Sequence, residues 1–158
     1  MKNYLLFFAC AFIACNTQQS SSTEKDKVYT DSLATKITTG ALTGKYCYAY
    51  LKNKDSILLS VQIGDSTVLG DLTYNLNGKD RNTGKVEGKM MSDTLLADYI
   101  FFSEGMQSVR QVSFLLDDST AREGHGPMNE NNNKMLFTNP RQLVFDTTFV
   151  LRKQACKD

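Results

Sequence analysis

The chain is poor in several of the residues that usually carry chemistry. It holds a single histidine, His125, and only two prolines, Pro127 and Pro140. No Gly-x-Ser-x-Gly elbow is present, so neither a serine nucleophile nor a histidine-based triad has its usual parts. Glu123 and Glu130 flank His125, but alternate residues of a strand face opposite ways, and three metal ligands do not converge from one strand. An enzyme, a metal and a cofactor are therefore not expected. Charge of one sign is lacking too: 18 Lys and Arg stand against 17 Asp and Glu. That balance excludes the basic stripe of a nucleic-acid surface and the polybasic patch of a membrane-steered one. No apolar run reaches the about 20 residues that a bilayer-crossing helix needs.

What is present starts at the N-terminus. Met1-Lys2-Asn3 is a short basic region, and residues 4–14 form an apolar segment of signal-peptide length. The segment ends at Phe12-Ile13-Ala14-Cys15, which resembles the lipobox of bacterial lipoproteins. The resemblance implies that Cys15 is acylated and becomes the new N-terminus. Several acyl chains on one residue exceed the threshold for stable anchoring. Removing the segment also removes Lys2, so the mature chain is formally neutral. Residues 16–27, rich in Ser, Thr and Gln and without an apolar residue, read as a polar tether. Asn16 is not the Asp that resembles an inner-membrane retention signal, which implies the outer membrane, and the residues directly after Cys15 do not resemble the dense acidic export signals of surface-exposed lipoproteins, which implies the periplasmic face.

With Cys10 discarded and Cys15 acylated, Cys47 and Cys156 remain. In an oxidising compartment an even pair reads as a disulfide, with free thiols or a shared metal as the alternatives. A bridge closing a loop of roughly 100 residues stabilises by up to about 4–5 kcal/mol in the chain-entropy model.

Residues 28–39 leave open a short helix capped by Asp31. From Gly40 onward the pattern is strand after strand, placed at residues 45–52, 56–63, 67–76, 83–91, 94–103, 106–117, 121–126, 134–137 and 143–153. The joints carry turn chemistry: Lys52-Asn53-Lys54-Asp55, Gly64-Asp65-Ser66, Asn77-Gly78-Lys79-Asp80, Ser92-Asp93, Glu104-Gly105, Asp117-Asp118-Ser119 and the Asn-rich run 129–133. Short strands at even spacing, without a segment of helical period long enough for a crossover, predict an all-β antiparallel meander. The expected fold is an up-and-down β-barrel of eight to nine strands, with a β-sandwich as the alternative. The organisation is then residues 1–14 as signal, 15–39 as lipidated Cys and tether, and 40–158 as one barrel domain.

The runs Thr43-Gly44-Lys45-Tyr46-Cys47-Tyr48, Gly70-Asp71-Leu72-Thr73-Tyr74 and Ala97-Asp98-Tyr99-Ile100-Phe101-Phe102-Ser103-Glu104-Gly105 resemble a family of small Bacteroidetes-type lipoproteins. In general shape the chain is similar to lipocalin-like and NlpE-like envelope barrels, although it lacks the CxxC of the latter's first strand. The resemblance implies an address and a fold, and no reaction.

Alternation sorts the central hairpin into faces. Leu95, Ala97, Tyr99, Phe101 and Ser103 share one side, and Met106, Ser108, Arg110, Val112 and Phe114 the matching one. If these faces are internal, Arg110 points into the barrel and needs a partner, for which Glu104 and Glu123 are the candidates. The alternating tyrosines Tyr46 and Tyr48, with Tyr74, Tyr99 and Ser103, complete a candidate site for a small amphiphilic ligand; ordinary barrel filling explains the same residues. The other expectation is an envelope interaction protein, an inhibitor or stress adaptor with a filled core, that meets a protein partner through its rim loops. Cys15→Ser is expected to release the protein from the membrane fraction; unchanged retention on fractionation would refute lipidation.

Overall fold

The computed structural model describes residues 42–157. The expected signal segment 1–14, Cys15, the tether 15–39 and the short helix after Asp31 lie outside the described residues. Thr38–Asp158 forms one compact unit. Every described strand, the buried core and the disulfide lie within it, so the unit carries its own fold.

The described chain is all-β. Its strands are β1 (Gly44–Lys52), β2 (Asp55–Ile63), β3 (Val68–Asn75), β4 (Asn82–Met91), β5 (Thr94–Ser103), β6 (Met106–Leu116), β7 (Thr120–His125), β8 (Met128–Asn131), β9 (Lys134–Phe137), β10 (Val144–Phe145) and β11 (Leu151–Gln154). Strands β1 to β7 and β11 close into an eight-stranded barrel of lipocalin-like build in which every neighbour is antiparallel. Closure excludes the sandwich. Cross-strand partners followed from Tyr48 through Leu59, Leu72, Gly84 and Phe101 to Ser108, and the other way through Lys153 to the β6–β7 turn, give a stagger of about ten residues, the range in which strands tilt by roughly 40°.

Alternation makes the inside. Ile57, Leu59, Val61 and Ile63 of β2 are buried, as are Leu95, Ala97 and Tyr99 of β5 and Val112, Phe114 and Leu116 of β6. Each large aliphatic or aromatic side chain so buried contributes about 2 kcal/mol relative to exposure. On β4 the inward positions include Gly84 and Gly88. A Cβ at either would overlap a carbonyl oxygen of β5, that of Ile100 or of Leu96. The missing side chains let β4 and β5 coil tightly, and Phe101 sits directly across from Gly84.

The two ends of the barrel differ. One carries the turns at Gly64–Thr67, Ser92-Asp93 and Asp117–Thr120, and the chain enters β1 there at Gly44. The other carries Asn53-Lys54, the loop 76–81 and Glu104-Gly105. At the first end Asp117 Oδ1 accepts from the backbone N–H of Ser119 at 2.8 Å, and its Oδ2 accepts from Thr120 Oγ1 at 2.6 Å. The Thr120 hydroxyl and these backbone donors hold the Asp117 carboxyl down at about 2. At the opposite end the β5–β6 turn has φ of 51° at Glu104 and 79° at Gly105, the two left-handed residues of a tight hairpin loop.

Two sequence expectations need correction. The Asn-rich run 129–133, expected as a turn, contains most of β8; only Asn132-Asn133, with φ of 50° and 60°, turns the chain into β9. A short strand exposed on both faces offers no alternation to read. The segment 143–153, expected as one strand, is two. Both β10 and β11 pair along the same edge of β7, but their registers differ by three residues, so Asp146–Val150 bulges out. The bulge brings Phe149 edge-on to Tyr50, centroids 5.1 Å apart.

Cys47 and Cys156 are joined. The bond lies beside the β1–β11 pairing, which has only three register pairs, Cys47↔Gln154, Tyr48↔Lys153 and Ala49↔Arg152. Replacing both cysteines by alanine is expected to cost up to about 4–5 kcal/mol in denaturant titration; an unchanged midpoint would show that the seam holds without the bond.

Candidate functional site

Around the barrel wall, β6 meets β7 only at Phe114↔Glu123, Leu115↔Arg122 and Leu116↔Ala121. Nearer the Glu104 end the two strands part, and β6 pairs in parallel with β9 instead, Val109↔Lys134 and Arg110↔Met135. Lys134 Nζ fastens this pairing from outside on Asp98 Oδ2 at 2.6 Å. Arg110 therefore sits where the wall changes partners, on the inner face, half-buried.

Three rings cage its guanidinium. The Arg110 carbon Cζ lies 5.2 Å from the ring centre of Tyr74, 5.7 Å from Tyr99 and 5.8 Å from Phe101. Tyr99 and Phe101 stack at 4.7 Å, and Tyr74 meets Tyr99 edge-on at 5.9 Å. Cation–π attraction of this kind contributes about 0.5–2 kcal/mol per contact, more as water is excluded.

The carboxylate partner is where the packing departs from a simple ion pair. Among the described residues no carboxylate oxygen lies within 4 Å of Arg110. Glu104 is exposed in the hairpin turn and does not reach it. Glu123 is close enough to feel Arg110, but its Oε1 accepts a hydrogen bond from the Tyr74 hydroxyl at 2.7 Å. Burial raises the Glu123 carboxyl above its ordinary value; the Tyr74 hydrogen bond, Arg110 and His125 oppose the shift without cancelling it. Burial also pushes the Tyr99 phenol up to about 12 and that of Tyr74 well above its usual range, so both stay neutral donors at physiological pH.

Among the described residues four buried polar atoms have no hydrogen-bond partner: Asn82 Oδ1, Tyr99 OH, Arg110 Nε and Ser113 Oγ. The first three come from the inner faces of the adjacent strands β4, β5 and β6, toward the Glu104 end. Buried polar groups in folded proteins are nearly always paired, and an exception asks for a missing partner. Tyr99 and Arg110 are register partners on β5 and β6, so two of these exceptions stand side by side, whereas Asn82 lies nearer the Glu104 end, beside Tyr74 and level with Ser103. His125 Nε2 stands 3.7 Å from Asp146 Oδ2. Burial raises the Asp146 carboxyl, but the backbone N–H groups of Thr148 and Phe149 and the His125 charge outweigh it and hold it below the usual range.

The structure thus gathers four of the residues named from sequence, Arg110, Glu123, Tyr74 and Tyr99. It does not gather the other three. Tyr48 donates its hydroxyl to the Asp117 carbonyl at 3.2 Å, at the far end, and Tyr46 donates to the Thr43 carbonyl at 3.0 Å. Ser103 lies four residues beyond Tyr99, about 13 Å along the strand. Phe101 and Asn82 were not singled out from sequence. Strand parity marks Phe101 as internal, whereas Asn82 stands in a charged stretch that reads as a loop.

The described residues form a closed antiparallel barrel with an aromatic-caged guanidinium on its inner face. No protein-family model, curated protein or solved structure matches the chain.

The raised Glu123 carboxyl gives a signed pH dependence. Its neutral form is preferred on folding, so the stabilisation is full below the ordinary value of 4.5 and is lost as pH rises through the higher folded value. Glu123→Gln is expected to match the wild type near pH 4 and to be the more stable protein at pH 7.5. Urea titrations at both pH values check this; a variant less stable at pH 7.5 than at pH 4, relative to wild type, would refute it.

Proposed function

We propose that this protein is a lipid-anchored envelope lipoprotein whose barrel binds a small amphiphilic ligand at Arg110, without catalysing a reaction on it. The signal-like N-terminus and the lipobox-like Cys15 support the address, and the outer membrane facing the periplasm is the location they favour. The observation that carries the binding reading is the pair of unpartnered atoms Tyr99 OH and Arg110 Nε, on register partners, in a guanidinium site that no described carboxylate pairs. A polar cluster set among Tyr74, Tyr99 and Phe101 is the composition of a small-molecule site, mostly apolar with a few placed polar groups.

A second reading, an envelope interaction protein acting through its rim loops, is favoured by a different observation. Phe102 and Met106 flank the β5–β6 turn and are 62% and 72% exposed. Exposed large apolar side chains at a loop tip suit contact with a protein partner.

Native mass spectrometry of the protein extracted from its own membrane tests the first reading against the second. A co-purifying small molecule, lost from Arg110→Gln, is the expected result. Protein that carries no small molecule and takes up none from a panel of fatty acids and lysolipids would overturn ligand binding and leave the rim-loop reading.

A further inference from the structure

Burial changes steadily along the inner faces of β5 and β6, and it sets the direction in which a ligand lies. From Arg110 toward the Asp117 end the next inward residues are Val112 and Phe114, and beside them Ala97 and Leu95; all four are buried. These side chains form a floor, and an interior packed at protein density has no room beneath it for an acyl chain. In the opposite direction the inward residues are Ser108 and Phe101, half-buried, and then Met106, 72% exposed. Met135, paired with Arg110 across the wall, is 40% exposed. The unpartnered Tyr99 OH and Arg110 Nε thus lie deeper in the barrel than Met106, and the flexible side chain of Met135 stands beside Arg110. Methionine is suited to such positions, because its unbranched, polarisable side chain adapts to chains of different shape.

Charge narrows the class of head group. Arg110 is the cation of the site and Tyr99 OH a free donor beside it, which together suit one anionic group with two acceptor oxygens. Glu123, hydrogen-bonded to Tyr74, adds a carboxylate close by. A second negative charge on the ligand would meet it in a poorly solvated place, where like charges repel strongly. A monoanion is favoured over a dianion.

We propose that the ligand is a monocarboxylate with an apolar tail and that it enters head first, its carboxylate between Arg110 and Tyr99 and its tail lying outward along Phe101, Met106 and Met135. This rests on the amphiphile reading above. It assigns what that reading leaves open: the head group, the orientation, and a role for Met106 and Met135 as the tail surface. A lipocalin-type arrangement with the tail deep in the barrel is the opposite geometry, and the floor of Leu95, Ala97, Val112 and Phe114 stands against it.

The chain has no tryptophan, so Met106→Trp in the Thr38–Asp158 unit supplies a single indole reporter beside the β5–β6 turn. The probes are dodecanoate, dodecanol, dodecyl phosphate and a dodecanoate brominated at its terminal carbon. The expected result is saturable quenching of the indole fluorescence by the brominated acid, with the same midpoint that calorimetry on the same Met106→Trp protein gives for dodecanoate. Dodecanol and, at pH 8, dodecyl phosphate are expected to bind at least ten-fold more weakly. Tyr99→Phe, which keeps the ring, should weaken dodecanoate three- to ten-fold, and Arg110→Gln should abolish binding in protein whose near-ultraviolet circular dichroism is unchanged. Should Arg110→Gln fail to fold, Tyr99→Phe and the probe series decide the matter alone. Dodecanoate binding without quenching of the indole by its brominated form would overturn the head-first orientation while leaving the amphiphile reading intact. Dodecanol binding as tightly as dodecanoate would overturn the carboxylate assignment, and binding of none of the probes would overturn both.

Discussion

A sheet closed on itself has no free edges, and in this barrel that closure is made by one short strand on which the rest depends. β11 has four residues, yet it joins β7 to β1 through two register pairs on one side and three on the other. Long hairpins such as β4–β5 and β5–β6 would remain a curled open sheet without it. The Cys47–Cys156 bond stands at this weak point, and the three-residue register slip between β10 and β11 shows what the edge had to accommodate. Backbone pairing is sparse at the seam, and a covalent bond and the packing of Phe149 on Tyr50 supply the rest.

The second place where the wall is thin is the parting of β6 and β7, and there the chain does something different. It inserts a separate hairpin, β8–β9, in parallel with β6, and leaves Arg110 on the inner face of the junction. A buried cation is tolerated only with compensation. Here that compensation is divided among three aromatic rings, while the nearest acid is drawn off by a tyrosine hydroxyl. Such an arrangement holds the guanidinium in place without using up its hydrogen-bonding edge, whereas a close Glu–Arg pair would have fixed register and left nothing to offer.

Much of this was legible from the residues, and the limits of legibility are physical. Strands with one buried face alternate strictly, so β2, β5 and β6 could be placed almost to the residue and the inward side of Arg110 deduced. Turn residues with positive φ, such as Asn53 and Gly105, marked the joints. Where both faces are exposed, as in β8, or where a bulge carries strand-like residues, as at Asp146–Val150, the pattern holds no contrast to read. The site was legible to the same depth. Parity put Arg110 and Tyr99 on matching faces and made Glu123 a candidate partner if those faces are internal, but it is silent about height within the barrel, which is why Tyr46 and Tyr48 were grouped with residues that lie at the other end. Nor does sequence reveal that Tyr74 takes the carboxylate that Arg110 was expected to have; that choice is made by distances of a few ångströms between strands.

The chain enters the barrel at Gly44 and leaves it past Gln154 on the side of the Asp117 turn, the pole opposite the Glu104 hairpin. Entry, exit and disulfide therefore occupy one pole, and the caged guanidinium lies toward the other. Both ends of the described chain and the bond that ties them lie away from Arg110, so the loops that close the barrel are not the ones that surround the caged guanidinium.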